Sequence, residues 1–431
     1  PLSAERNPLR VGIIIKEPTV QIDCKNDLTI IEYPNKEQKV IKQSQLPIKI
    51  QGSQKGIKIG SQHYSSLEKI AIKPHGNAFI QVGSRQYRGT IEIQLAQSSL
   101  NVINIVEMEQ YLYGVLKKEI SPKWPMEALK AQAIAARTFA LSNMDKYIDQ
   151  GFNICATTNS QAYGGYYHED PKTNQAVDNT CGMIATYKGK PINAVYHSDS
   201  GGITENSEDV WGSYVPYLRS VPSDYEEIVS PSHHQWSCTF NAYEILEKLA
   251  QSGYQLKGIK DIKIKERSVT GRVKIITIVD TGNKVISLKA NDFRIKMGPS
   301  QLRSSLFDLK KMSESGMVIE NNVKVNTTED ESNSKQKTVQ DILNEKKDFS
   351  IEELVNLLKR SRKKEPEKTI IETKSIENSD HNSLSFVFEG LGSGHGVGMS
   401  QWGAYGMAKS GFTFDEILKY YYKDIALEKI Y

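Results

Sequence analysis

Apolar and polar positions alternate over most of residues 9–115, and the pattern predicts short strands. Val11-Gly12-Ile13-Ile14-Ile15 is a short apolar run that stops before Pro18; beyond the proline, Val20, Ile22 and Cys24 alternate with polar neighbours. Gly89 to Leu95 repeats the period of two, and Leu100 to Val106 follows it, as half-buried strands do. The pattern then changes. Pro125 suits a first helical turn, and Ala128 through Leu141 contains six alanines with no Gly or Pro, which predicts a helix packed closely on another element. Residues 183–221 return to strands and turns. Asn241 to Ser252 reads as a helix with an Asn cap and Gly253 as its stop, and a further helix starts near Ser400 and stops at Gly411.

Residues 310–381 are a different material. They hold 14 Lys/Arg and 15 Asp/Glu with one Phe and neither Trp nor Tyr, so they lack the apolar surface to order themselves. A solvated insertion looped out of the core is expected, with one short helix inside it, where Ser350 and Glu353 form a capping box ahead of Leu354, Leu357 and Leu358.

Composition narrows the function classes. A chain of 431 residues suggests two or three domains, or one core with insertions. The net charge of +4, from 55 basic and 51 acidic residues, is too balanced for a dedicated nucleic-acid binder. No run of 18 apolar residues occurs to form a spanning helix. The chain begins Pro1-Leu2-Ser3, which fits a processed or trimmed protein whose signal or anchor lies outside it. Cys24, Cys155, Cys181 and Cys238 form no CxxC pair, and the eight histidines include no HExxH pair. A Cys155–Cys181 disulfide is allowed and not deducible. Cys155, Cys181, His197 and His395 could converge on a metal only through tertiary folding.

Three segments hold the unusual residues. In Tyr111 to Pro125, Glu119 lies where the strands give way to the helix, just before two prolines and Trp124. A carboxyl beside a Trp can be desolvated, which raises its pKa and lets it donate a proton near neutral pH. The competing reading is a carboxylate at the start of a helix, favoured by the dipole or paired with Lys117 or Lys123. The second segment, Ala194 to Asn206, runs a strand into His197-Ser198-Asp199-Ser200-Gly201-Gly202. Adjacent residues on an extended chain point to opposite faces, which argues against a Ser–His nucleophile and for hydrogen bonding to a substrate, with a plain polar turn as the alternative. The third, Gly390 to Gly403, alternates glycines with other residues and matches neither a P-loop nor a dinucleotide fingerprint. Its functional reading is a backbone surface that a ligand can approach closely, with His395 and Gln401 as hydrogen-bonding groups; the other reading is a Gly-rich turn buried against a second domain.

Together the three segments resemble the SpoIID/LytB family of bacterial cell-wall proteins. The matching stretches are Tyr113-Gly114-Val115 to Glu119, and Trp124-Pro125-x-Glu127-Ala128-Leu129-Lys130-Ala131-Gln132-Ala133 with Ala136-Arg137-Thr138. They continue with Gln161-Ala162-Tyr163-Gly164-Gly165, Tyr196-His197-Ser198-x-Ser200-Gly201-Gly202 with Thr204-Glu205-Asn206, and Gly394 to Ala404. The order holds over about residues 85–310 and 384–425. The resemblance implies a lytic transglycosylase-like activity on peptidoglycan glycan strands, preferring strands stripped of stem peptides, and work beside a cell-wall amidase. Its essential Glu matches Glu119.

On that basis Glu119 is expected as the catalytic acid/base, and Tyr163, His197, Ser198, Ser200, Glu205, His395, Gln401, Trp402, Trp124 and Arg137 as substrate-binding residues. Either Trp could instead be core. Some relatives bind zinc through a Cys followed by a His-Cys pair; here Cys155 remains but Asn159 and Ser160 stand in place of the pair, so neither zinc nor another cofactor is expected. The expected architecture is α+β in two lobes: a β-rich region at 1–84, a catalytic core at 85–309, the charged insertion at 310–383 and the rest of the core at 384–431. The cleft would lie between the Glu119 lobe and the Gly394–Gln401 loop. The expected partners are glycan strands and a cell-wall amidase, not nucleic acid. An extracytoplasmic, cell-wall-facing place follows, with any membrane attachment through an anchor outside this chain.

Overall fold

The computed structural model describes residues 8–64, 68–228, 234–313, 318–321 and 384–431. The helix expected at 350–358, and the charged segment other than 310–313 and 318–321, lie outside the described residues. The described chain is mixed α and β and divides into two compact units, residues 1–234 with 393–431, and residues 235–392.

The alternating N-terminal pattern becomes two antiparallel sheets of the first unit. One runs Leu9–Glu17, Ser99–Val106, Thr90–Ala96, Lys69–Pro74, Leu28–Tyr33, Glu37–Ile41, with Ile154–Cys155 added in parallel at the Leu9–Glu17 edge. The other centres on Thr19–Cys24 and Ile48–Ser53. The residues that alternate inward, among them Val20, Ile22, Ile50, Ile70, Ile72, Ile91 and Ile93, share one buried cluster.

The strand reading ends at Val106 rather than at 115. Helix α1 (Met108–Glu119) follows, burying Tyr111, Leu112, Val115 and Leu116 at helical spacing. Glu119 is therefore the last residue of a helix and not the approach to the next one. The Ala-rich helix α2 (Met126–Ser142) forms as expected, with Pro125 just ahead of its first turn. Its small side chains bury Ala131, Ala133, Ala135 and Ala136 completely, which lets neighbours approach closely. Helix α3 (Pro171–Asn179) was not anticipated; Asp170 caps it by accepting from the Lys172 N–H. Helix α4 (Ser207–Trp211) interrupts the strands and turns expected at 183–221.

The second unit pairs Gln235–Asn241, Ser385–Leu391 and Phe307–Met312 in one sheet and Ile259–Arg267, Val273–Asp280 and Val285–Lys289 in another. Helices α5 (Ala242–Gln251) and α6 (Ala290–Met297) belong to it, and Phe240, Phe293, Phe386 and Phe388 fill its core. The Asn241 cap expected for α5 is present, in a full capping box with Glu244. From residue 393 the chain is again part of the first unit. There, helices α7 (Gln401–Lys409) and α8 (Phe414–Tyr421) are followed by Ala426–Lys429, which pairs with Met183–Tyr187.

Candidate active site

Glu119 closes α1, so its carboxyl stands at the helix end where unsatisfied carbonyls disfavour a negative charge. The side chain is half-buried. Burial pushes its pKa above the usual carboxylate range, while the Ala162 N–H, the Tyr196 hydroxyl and the Gln401 amide, donating to it, and the charge of Lys118 pull the other way.

Two of these donors are held by other groups. Gln161 Nε2 donates to the Tyr196 hydroxyl at 3.2 Å and to the Ala136 carbonyl at 3.2 Å, and Gln161 Oε1 accepts from the Tyr111 hydroxyl at 3.1 Å. With both amide donors and the acceptor engaged, the Tyr196 hydroxyl hydrogen is left to point at Glu119. Gln401 opens α7, whose Ser400 cap accepts from the Gly403 N–H at 3.1 Å. Tyr196–His197 pairs in parallel with Met399–Ser400, which brings the second and third unusual segments together. Gln401 Nε2 also lies 3.4 Å from Gln132 Oε1, so α2 braces the same amide.

The glycines of the third segment serve this union. A Cβ on Gly394 would meet His197 Cβ at 2.6 Å, and one on Gly398 would meet the Val195 carbonyl at 2.2 Å; both residues have positive φ. The close approach at these two glycines is made by the protein's own chain.

The other expected residues divide into two groups. His197 is buried with Nδ1 against the Val397 carbonyl at 3.1 Å, and His395 lies with its ring 5.5 Å from that of His197 and 5.2 Å from Trp211. Ser198 is half-buried, and its carbonyl accepts from the Trp402 N–H at 3.1 Å. Trp402 packs its ring 4.9 Å from Trp124 and 5.6 Å from Tyr405, with Trp124 the more deeply buried of the two tryptophans. The rest are engaged inside the protein. Arg137, with no exposed surface, grips Glu109 at 2.9 and 2.5 Å and the Met183 carbonyl at 2.9 Å. Tyr163 donates to Asn104 Oδ1 at 2.8 Å, beneath Tyr111 and Tyr87. Glu205 is buried and accepts from the Asn206 N–H at 2.8 Å.

Ser200 leads to a residue that sequence reasoning missed. Glu226, with no exposed surface, accepts from the Ser200 N–H at 2.8 Å and hydroxyl at 2.6 Å, the Gly202 N–H at 2.9 Å and the Ser223 hydroxyl at 3.0 Å. The Ser400 hydroxyl also donates to it. One carboxylate thereby ties the turn after His197 to the residue before Gln401. Burial and the nearby Asp199 charge raise its pKa, against the pull of its donors.

Asp199 accepts from the Gly201 N–H at 2.7 Å and pairs with His234 Nδ1 at 2.8 Å, while His234 Nε2 lies 3.0 Å from the Glu226 carbonyl. Both ring nitrogens face acceptors, so His234 is an imidazolium, and Asp199 foremost pushes its pKa up to about 9. Asp199, Glu226 and His234 offer possible metal-ligand atoms within 4.8 Å of one another. A metal there would have to displace the His234 proton and compete with the donors on the Glu226 oxygens; with those in place the three groups form an ion-pair knot. Cys155, kept from the zinc pattern, is a buried thiol with Sγ 3.1 Å from Thr157 Oγ1 and 3.5 Å from Ser160 Oγ.

Tyr196, Ala162, Gln161 and Gln132 were also missed as working residues, although all lie inside stretches that carried the resemblance. Their neighbours in sequence were the signal. Glu226 and His234 had none, because a buried acceptor and its imidazolium neighbour have no spacing of their own.

The chain is similar to several known proteins. Residues 96–187 match the family model for the stage II sporulation protein SpoIID, and residues 223–326 match a domain of unknown function. An uncharacterised protein of Brachyspira hyodysenteriae is 29% identical over 341 residues, covering 79% of this chain and 72% of its own. The stage II sporulation protein D of Bacillus subtilis is 28% identical over 351 residues, covering 77% of this chain and 78% of its own. The amidase enhancer of Bacillus subtilis is 27% identical over 389 residues, covering 86% of this chain but 46% of its own. The matched segment holds Glu119 and the Gln161-x-Tyr163 stretch, the relatives align over most of the chain, and together these matches support a SpoIID/LytB family assignment.

Proposed function

We propose that the chain is a lytic transglycosylase that cleaves peptide-stripped peptidoglycan strands between N-acetylmuramic acid and N-acetylglucosamine. The observation that carries this reading is Glu119, a half-buried carboxyl raised in pKa by burial and held by an N–H, a phenol and a carboxamide. A carboxyl so placed keeps its proton to higher pH and can deliver it to the glycosidic oxygen. The bond to that oxygen then breaks through an oxocarbenium-like state. The ionised Glu119 takes the proton from the muramic C6 hydroxyl as that oxygen attacks C1, closing a 1,6-anhydro ring. One carboxyl serves both steps, and no water is consumed.

Gln401, which donates to Glu119, and His395, Ser198 and Trp402 are the groups assigned to the sugars beside the bond. A hydrolytic route would need a second carboxylate about 5–9.5 Å away. Asp199 and Glu205 are poor candidates, being buried and engaged with His234 and the Asn206 N–H. The chain acts, on this reading, outside the cytoplasm at the cell wall, beside an amidase. The name of the amidase enhancer supports a second reading, a glycan-binding protein that stimulates an amidase without cutting glycan itself.

Mass spectrometry of peptide-free strands incubated with the wild type and with Glu119→Gln separates these readings. Anhydromuramic ends from the wild type alone are expected. Intact strands with both chains would overturn the proposal in favour of the enhancer, and new reducing ends would point to hydrolysis.

A further inference from the structure

One hollow of the first unit lies outside the Glu119 network. It measures about 560 Å³, and Gln81, Gln86, Tyr166, Tyr167 and Asn174 line it together with Arg88, Glu169 and the start of α3. That volume is in the range of small-ligand sites. Tyr167 is 80% exposed, and a large ring held in water is the kind of surface that stacks on an apolar face of a ligand. Tyr166 is held firmly: its ring stacks on Phe79 with centroids 3.9 Å apart, and the Arg88 guanidinium lies 5.4 Å from it.

Arg88 and Glu169, two of the three charged groups lining the hollow, answer each other, and the third, the Asp170 carboxylate, caps α3 through one oxygen. Arg88 grips Glu169 through two bonds of 2.7 and 2.8 Å, Asn174 Nδ2 donates to the same carboxylate at 3.2 Å, and Asp170 accepts from the Lys172 N–H at 2.9 Å. The groups left to meet a ligand are amides, phenols, the Ser84 hydroxyl and the Asp170 carboxylate, which suit a neutral molecule rich in hydroxyl and acetamido groups better than an anionic peptide.

The place of the hollow also fits. Ala162 donates its N–H to Glu119, and Tyr166 follows four residues later, so their Cα atoms are at most about 14 Å apart along the chain. A strand held at Glu119 could reach it with its next sugars.

We infer that this hollow is an accessory subsite for a neutral N-acetylated sugar of the glycan strand, with Tyr167 as its stacking platform. The inference rests on glycan being the substrate. It is tested by calorimetric titration of the Glu119→Gln chain, which leaves strands uncut, with peptide-free strands and with an N-acetylglucosamine pentamer. Adding Tyr167→Ala is expected to weaken binding about three- to tenfold, and Tyr167→Phe to retain it. Affinity unchanged within about twofold by Tyr167→Ala, or binding absent from both chains, overturns the subsite. So does a Tyr167-dependent affinity for free stem peptide with none for the sugars. The catalytic reading is judged separately by products of the wild type. Anhydro ends without a Tyr167 effect remove only the subsite; a Tyr167 effect with uncut strands removes only the catalysis.

Discussion

Glu119 and Glu226 are both carboxyls whose pKa burial raises, yet the structure treats them in opposite ways. Glu226 has no exposed surface and lies among donors from Ser200, Gly202, Ser223 and Ser400 that bind its two oxygens from different parts of the chain. Glu119 is only half-buried, at a helix end, so part of it still reaches solvent. A raised pKa therefore does not by itself identify the reacting acid. Access to a ligand does, and the enclosed carboxylate is better read as the clamp that keeps Gln401 and the turn after His197 in place for the open one.

The largest effect that would sharpen this contrast is on turnover. Glu119→Gln should lower the rate of strand cleavage by about 10²–10⁴-fold, while its melting temperature stays equal or rises because a half-buried charge is removed. A large fall in melting temperature would put Glu119 with Glu226 as a structural group. Glu226→Ala should do the reverse: it leaves buried N–H and O–H donors without their acceptor, for about 3–5 kcal/mol of lost stability by denaturant unfolding. An unchanged unfolding midpoint would break the clamp reading.

His234 gives a smaller, pH-dependent effect. Its pKa is about 9 in the folded protein, above the ordinary 6.5, so its stabilisation is complete below about pH 6.5 and is lost as pH rises through 9. Melts from pH 6 to 10 should show a loss of about 2 kcal/mol across that window in the wild type and a flatter profile in His234→Gln. The smallest effect is at Tyr196. Tyr196→Phe removes a donor that pulls the Glu119 pKa down, so the alkaline limb of the pH–rate profile should move to higher pH. It also orphans a Gln161 amide hydrogen, for about 1 kcal/mol of stability. A limb that moved to lower pH would show that Tyr196 does not donate to Glu119.

The strands of the first hundred residues were legible because a half-buried strand writes its period of two into the sequence, as Thr90–Ala96 and Ser99–Val106 do. Helix α2 was legible from its alanines and α5 from its Asn241 cap. Helix α1 was not, although Tyr111, Leu112, Val115 and Leu116 have helical spacing, because the preceding strands are nearly as apolar and no Gly or Pro separates them. Within the site, Glu119 was legible as a desolvated carboxyl, but the cause assigned to it was the neighbouring Trp124. Tyr196, Ala162 and Gln401 are the partners the structure gives it, from three separate stretches of chain.

What the sequence determined on its own is the set of local facts: strand periods, caps, the Gly-rich turns and the order of motifs that carry the family resemblance. Those depend on neighbours a few residues apart, so they can be read in one dimension. The tertiary structure alone decided the roles. Arg137 and Tyr163 share the motifs of Glu119 but face inward, to Glu109 and Asn104. Glu226, outside every motif, holds Ser200 and Ser400 together across 200 residues of chain. Desolvation and hydrogen-bond satisfaction are sums over everything within a few ångströms, and only the fold determines what is that near.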